Sequence, residues 1–232
     1  MILLIMITND LDKKTALLAE LVLSKASHTE LLPLVTDILF AIRDGRLKVL
    51  INWHPLGFLQ FKLGKLENET SVKLHIWDDI LRLTQEPAWL IHRHEWDLQS
   101  HVLYGTVSNH TFNIGTFSDA DISCRRHLYK VEFDGQYSKL IKTSEVTHFK
   151  LEETHCYSQG NKYEVLSDQY HSTTVEESSL ASTLVVSTEK VVSSPFVLGE
   201  LDGNDMYTYH RSIPDEQTWL SILNKFIRLA EL

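Results

Sequence analysis

Between Lys48 and Gly199 the chain breaks into short runs rich in Val, Ile, Leu, Phe, Tyr and Thr, each bounded by turn residues. GFLQFKLG, SVKLHIWD, LIHRH, LQSHVLYGTVSNHTFNI, HLYKVEF, EVTHFKLEE, HCYSQ, KYEVL, HSTTVE, STLVVST and VSSPFVLG read as strands. Gly64, Asp78, Asp119, Asp134-Gly135, Gly160-Asn161 and Ser167-Asp168 read as turns between them. Many short strands with regular turn signals, and no helices alternating between them, do not read as a parallel α/β sheet. They specify a sandwich or a barrel.

Helical patterns flank this zone. LDKKTALLAELVLSKA and SHTELLPLVTDILFAIRDG place apolar residues three and four apart, which predicts two amphipathic helices joined as a hairpin. Asp10 is the expected cap of the first, Ser27 or Thr29 that of the second, and Gly45 its end. At the other terminus Pro214, Asp215 and Glu216 suit a first helical turn. Trp219, Leu220, Leu223, Phe226, Ile227 and Ala230 then form an apolar stripe. The simplest expectation packs that stripe on the barrel; a homodimer contact is the second reading. The expected organisation is a helical extension over 1–46, a β-barrel over 47–200 and a helical segment over 201–232, all in one structural domain.

Charge narrows the function. A net charge of -9 with no Lys/Arg cluster lacks the electrostatic footprint of a nucleic-acid binder and suits no anionic membrane. The opening MILLIMITND is apolar but has no basic leader or small-residue cleavage site, so it reads as a first strand or a buried arm, not a signal peptide. No stretch has the length of a membrane-spanning helix. Two cysteines, Cys124 and Cys156, are expected as reduced thiols in a cytoplasmic protein.

The chemistry rests on histidine. The chain has 12, so chance alone supplies on the order of half a His-x-His pair. The pair His92 and His94 gains meaning from its context, IHRHEWDLQSHVLYG. Residues two apart on a strand share a face. His92 and His94 therefore present two imidazoles side by side, followed by a turn at EWD and a second strand ending at Gly105.

HRHEWDLQSHVLYG resembles the first signature motif of the cupin superfamily. Aligned on Gly105, the motif's usual glutamate position is held by Leu98. Cysteine-dioxygenase-like cupins also lack that glutamate and bind iron through three histidines. The second cupin motif resembles the stretch from Gly160 to Leu166 followed by Tyr170-His171-Ser172, though the family's proline is missing. The resemblance implies a mainly β chain folded as a double-stranded β-helix, the cupin or jelly-roll barrel. It implies a third ligand at His171, with His155 in THCYS as the rival. Three neutral imidazoles suit Fe, Zn, Cu or Ni better than Mg or Ca, and they leave coordination positions open for catalysis. Fe(II) is the cofactor implied first, with Zn or Ni as alternatives.

Further residues follow from strand alternation. Leu98, Ser100, Val102 and Tyr104 are expected on the pocket side of one strand, with Ser100 and Tyr104 able to touch substrate or bound oxygen. Tyr157 is a candidate hydrogen-bond donor. Asp97 and Glu95 are candidates to orient a ligating imidazole. Lys73, His75 and Trp77 share a face that either lines the pocket or lies in the barrel wall. His54-Pro55 reads as a turn leading into a strand, and His101 and His110 as surface groups or outer supports of the site. Arg82, Arg93, Arg125 and Arg126 are the guanidinium candidates for a substrate carboxylate. The leading expectation is an O2-dependent oxidation of a small molecule, a thiol or amino-acid derivative. A Zn or Ni isomerase or lyase, and a non-catalytic binding barrel, are the alternatives.

Overall fold

Ser27 starts the second helix with a capping box. Its side chain accepts from the Glu30 N–H, and Glu30 returns to the Ser27 N–H at 2.7 Å. Of the two expected caps, Ser27 is thus the one used. In the computed structural model, which describes residues 10–116, 122–134, 137–191 and 194–230, the two N-terminal helices are α1 (Asp10–Leu23) and α2 (His28–Arg43). The C-terminal α3 covers Glu216–Leu229. Its cap is Asp215, which accepts the Thr218 N–H at 2.8 Å. Pro214 therefore precedes the cap instead of sitting in the first turn. The segment MILLIMITN, the turn residues Asp119 and Gly135, and Val192-Ser193 lie outside the described residues.

The strands are β1 (Leu50–Trp53), β2 (Leu56–Gly57), β3 (Leu59–Lys65), β4 (Ser71–Trp77), β5 (Leu83–Thr84), β6 (His92–Arg93), β7 (Trp96–Tyr104), β8 (Thr106–Gly115), β9 (Arg125–Asp134), β10 (Tyr137–Ser158), β11 (Lys162–Val165), β12 (Tyr170–Thr174), β13 (Ala181–Lys190), β14 (Phe196–Gly199) and β15 (Met206–His210). The chain is mainly β with three helices. One sheet has the order β1-β3-β4-β13-β7-β11, the other β15-β10-β8-β12-β6-β14-β9. In the second, β9 also pairs with β10, so the ladder returns on itself. Two expected strands, EVTHFKLEE and HCYSQ, are one continuous β10. It pairs with β9 and β15 along its first part and with β8 along the rest, changing register between Lys142 and Val146 and between Leu151 and Glu153.

The alternation along β3 and β4 divides the molecule into layers. Leu59, Phe61 and Leu63, with Val72, Leu74 and Ile76, face outward into a core built with all three helices, including Leu18, Leu39 and Phe226. Each such side chain contributes about 1.5–3 kcal/mol of transfer free energy. The other face carries Gln60, Lys62, Lys73, His75 and Trp77, which line a cavity of about 820 Å³. β7, β11 and β13 continue that wall, and the second sheet supplies the facing one through β6, β9, β10, β12, β14 and β15. The helices thus seal one sheet from outside, and the two sheets enclose the cavity. Both Cys124 and Cys156 are free thiols. No helix of the described residues is long and apolar enough to cross a membrane.

Candidate metal centre

His92 and His171 are direct cross-strand partners, one on β6 and one on β12. Such pairs place side chains about 5 Å apart. His94 lies just beyond β6, where the chain leaves the second sheet to begin β7 in the first. One ligand-type atom from each of the three histidines falls within 4.8 Å of the others. The rings pack closely, with centroids 4.7 Å apart for His92–His94, 4.6 Å for His92–His171 and 5.1 Å for His94–His171. The centre lies on the wall of the large cavity.

Neighbouring groups fix which nitrogens face inward. The His92 Nδ1–H donates to the Leu90 carbonyl at 2.7 Å, leaving Nε2 as the free lone pair. The His171 Nδ1–H donates to Asn109 Oδ1 at 3.0 Å, which again frees Nε2. That Oδ1 also accepts from the Thr173 hydroxyl at 3.3 Å. His94 Nε2 stands 3.1 Å from His171 Nε2. Two nitrogens bound to one ion at about 2.0–2.1 Å lie about 2.9–3.4 Å apart for octahedral to tetrahedral angles. The His94–His171 pair has the spacing of two ligands on one ion, and the three histidines could together hold a metal. Burial, then repulsion from His92 and His171, holds His94 well below the ordinary histidine range. Burial and then His92 do the same for His171. Burial lowers His92, partly opposed by its bond to Leu90. Neutral imidazoles are the form that binds metal.

The other sequence expectations fall in different places. His155 is exposed and bonded to Glu153 at 2.7 Å, so His171, 4 % exposed, is the histidine that joins the pair. Leu98 and Ser100 line the cavity. Tyr104 does not. The β7–β13 pairing runs Val102↔Thr183 and then Tyr104↔Ser182, so Leu103 is an extra residue. The bulge reverses the alternation and sends Leu103 and Tyr104 to the helix-facing core. Tyr157 lies behind the wall, stacked on Tyr163 at 4.6 Å. It is Tyr163 that reaches the cavity, its hydroxyl meeting those of Ser100 and Thr173. Burial pushes that phenol up, which the two hydroxyls partly offset.

Asp97 touches no imidazole; it accepts the Ser167 N–H at 2.7 Å and so anchors the turn before β12. Glu95 is on the cavity wall. His101 is buried and stacks on His28 of α2 at 5.3 Å, while His110 bonds to Thr154 and Thr174. Among the guanidinium candidates, Arg82 donates to the carbonyls of Val175, Glu176 and Ser179. Arg93 lines the cavity but packs over Phe196 at 4.9 Å, and Arg126 lies over Phe149 at 5.0 Å. Arg125 is exposed, on β9.

Asn109, which the sequence did not single out as a site residue, completes the site. Asn109 sits in Asn-His-Thr, which reads as a glycosylation sequon, yet it is 3 % exposed and orients His171. His54 and His75 also line the cavity, His54 stacked on Phe58 at 4.3 Å and His75 bonded to the Gln60 amide at 3.1 Å. No protein-family model matches the chain, and comparison with curated proteins gave no match.

Proposed function

We propose that this chain is a mononuclear metal-dependent enzyme of the cupin type, and that it oxidises a small molecule with O2 through Fe(II) held by His92, His94 and His171. The observation that carries this reading is the convergence of three neutral imidazoles on the wall of the cavity between the sheets, with Leu98 where the resemblance would put a carboxylate. Three protein ligands would leave positions open on a bound ion, as a catalytic metal requires. When bound, Fe(II) supplies the one-electron chemistry that protein side chains lack.

The chain's own groups do the rest. Leu90 and Asn109 hold the ligand rings with their Nε2 atoms inward. Apolar side chains such as Phe58, Trp77 and Val185 give the cavity an apolar stretch of wall. Ser100 and Tyr163 offer hydroxyls to a bound molecule.

The test is metal analysis of protein purified without a tag, followed by oxygen electrode measurements. One equivalent of Fe(II), lost in His92→Ala and His171→Ala, is expected, with O2 uptake dependent on Fe(II) and not on Zn(II). A preparation that ignores added Fe(II) would sink the reading.

A further inference from the structure

Lys62 on β3 and Lys73 on β4 are direct cross-strand partners, and both point into the cavity. Like charges directly opposite on one sheet face repel each other. A third cation, Arg211, enters the same space from the opposite sheet, one residue beyond β15. Its Nε–H donates to the Ser138 hydroxyl at 3.0 Å and its guanidinium lies 5.2 Å from the Phe133 ring. The Lys73 ammonium sits 5.0 Å from the centroid of Trp96. None of the three forms an ion pair among the described residues. Of the carboxylates on the cavity wall, Glu69 is held by Lys65 at 2.5 Å and Glu95 is also engaged.

Burial, then Arg211 and Lys62, pulls the Lys73 ammonium down to about 8. Burial and then Arg211 lower Lys62 as well. No nearby carboxylate offsets either change. Three uncompensated cations in one partly enclosed space destabilise the fold unless an anion joins them. Guanidinium and ammonium groups are the side chains that recognise oxyanions.

We propose that Lys62, Lys73 and Arg211 form an oxyanion subsite in the cavity, so that the substrate brought to the histidine centre carries a carboxylate or a phosphate. Calling the ligand a substrate rests on the proposed function; the anion binding itself does not.

The test uses full-length, tag-free protein at pH 7 and constant ionic strength. Tryptophan fluorescence, sensitive through Trp96, and melting temperature are followed against inorganic phosphate in one arm and succinate in the other. Saturable binding is expected, and the tighter probe names the group. Lys73→Met and Arg211→Gln should each weaken it tenfold or more, while Lys150→Met on the exposed part of β10 should not. If Lys73→Met fails to fold, Lys62→Met and Arg211→Gln carry the comparison. His171→Ala should lose metal yet keep anion binding, which separates failure of the metal reading from failure of this one. Absence of saturable binding in both arms, or equal binding by wild type and the cavity variants, overturns the proposal.

Discussion

Asn109 and the Leu90 carbonyl perform the same task for two of the three ligands. Each accepts an Nδ1–H and so turns a lone pair toward the shared point. Leu90 does this through backbone, which no side-chain substitution removes. Asn109 does it through a side chain, so its role is testable. Asn109→Ala should lower metal affinity about 10–100-fold, read by competition with a chromogenic chelator, whereas Asn109→Asp should keep most of it. His92 and His94 were legible from their His-x-His spacing taken with the strand–turn–strand context that runs to Gly105, although β6 itself ends at Arg93. The third ligand was not. His171 and His155 both lie in β-prone runs, and only the pairing of β12 with β6 puts one beside His92 while β10 leaves the other exposed.

Among the elements, the β7–β8 crossing does most to build the site. β7 belongs to the six-stranded sheet and β8 to the seven-stranded one, and Gly105 is the single residue between them. It has φ +72°, and a Cβ there would stand 2.3 Å from the Leu180 carbonyl oxygen. No other residue type fits without displacing β13. Gly105→Ala should therefore cost about 2 kcal/mol or more in chemical denaturation. It should also weaken metal binding, because β8 carries Asn109. The sequence marks Gly105 as the end of a β-prone run, but nothing local says that the chain changes sheets there. Nor could alternation alone place Tyr104, since the bulge at Leu103 depends on how β13 pairs with β7. Where pairing stays regular, as between β4 and β13, the reading of Lys73, His75 and Trp77 as one face transfers directly to the structure.

At the scale of the molecule, the buried histidines set a pH dependence. Burial, then Lys73, lowers His75 to about 3, and burial followed by His28 and Lys162 lowers His101 to about 4. Both take up a proton in the unfolded chain near the ordinary value of about 6.5 but stay neutral in the fold. Their contribution to stability is thus fully present above pH 6.5. It is lost progressively as pH falls from there through the folded values near 4 and 3. Melting temperature should accordingly drop on acidification below 6.5. His101→Gln, which removes one such group stacked on His28 of α2 and not among the cavity-lining residues, should flatten the stability slope by about 1.4 kcal/mol per pH unit in that window. An unchanged slope would mean that His101 titrates alike in both states.

Local periodicity was sufficient for the mainly β character, the helices at both ends, the Ser27 or Thr29 start of α2 and the side-by-side His92 and His94. Each of these depends on residues a few positions apart, and backbone geometry relates such residues directly. Which histidine joins the pair, which tyrosine reaches the cavity and where the cations gather depend on residues tens of positions apart. Lys62, Lys73 and Arg211 have nothing in common along the chain. They meet because two sheets close around one space, and only strand pairing, bulges and a glycine crossing decide which side chains face it.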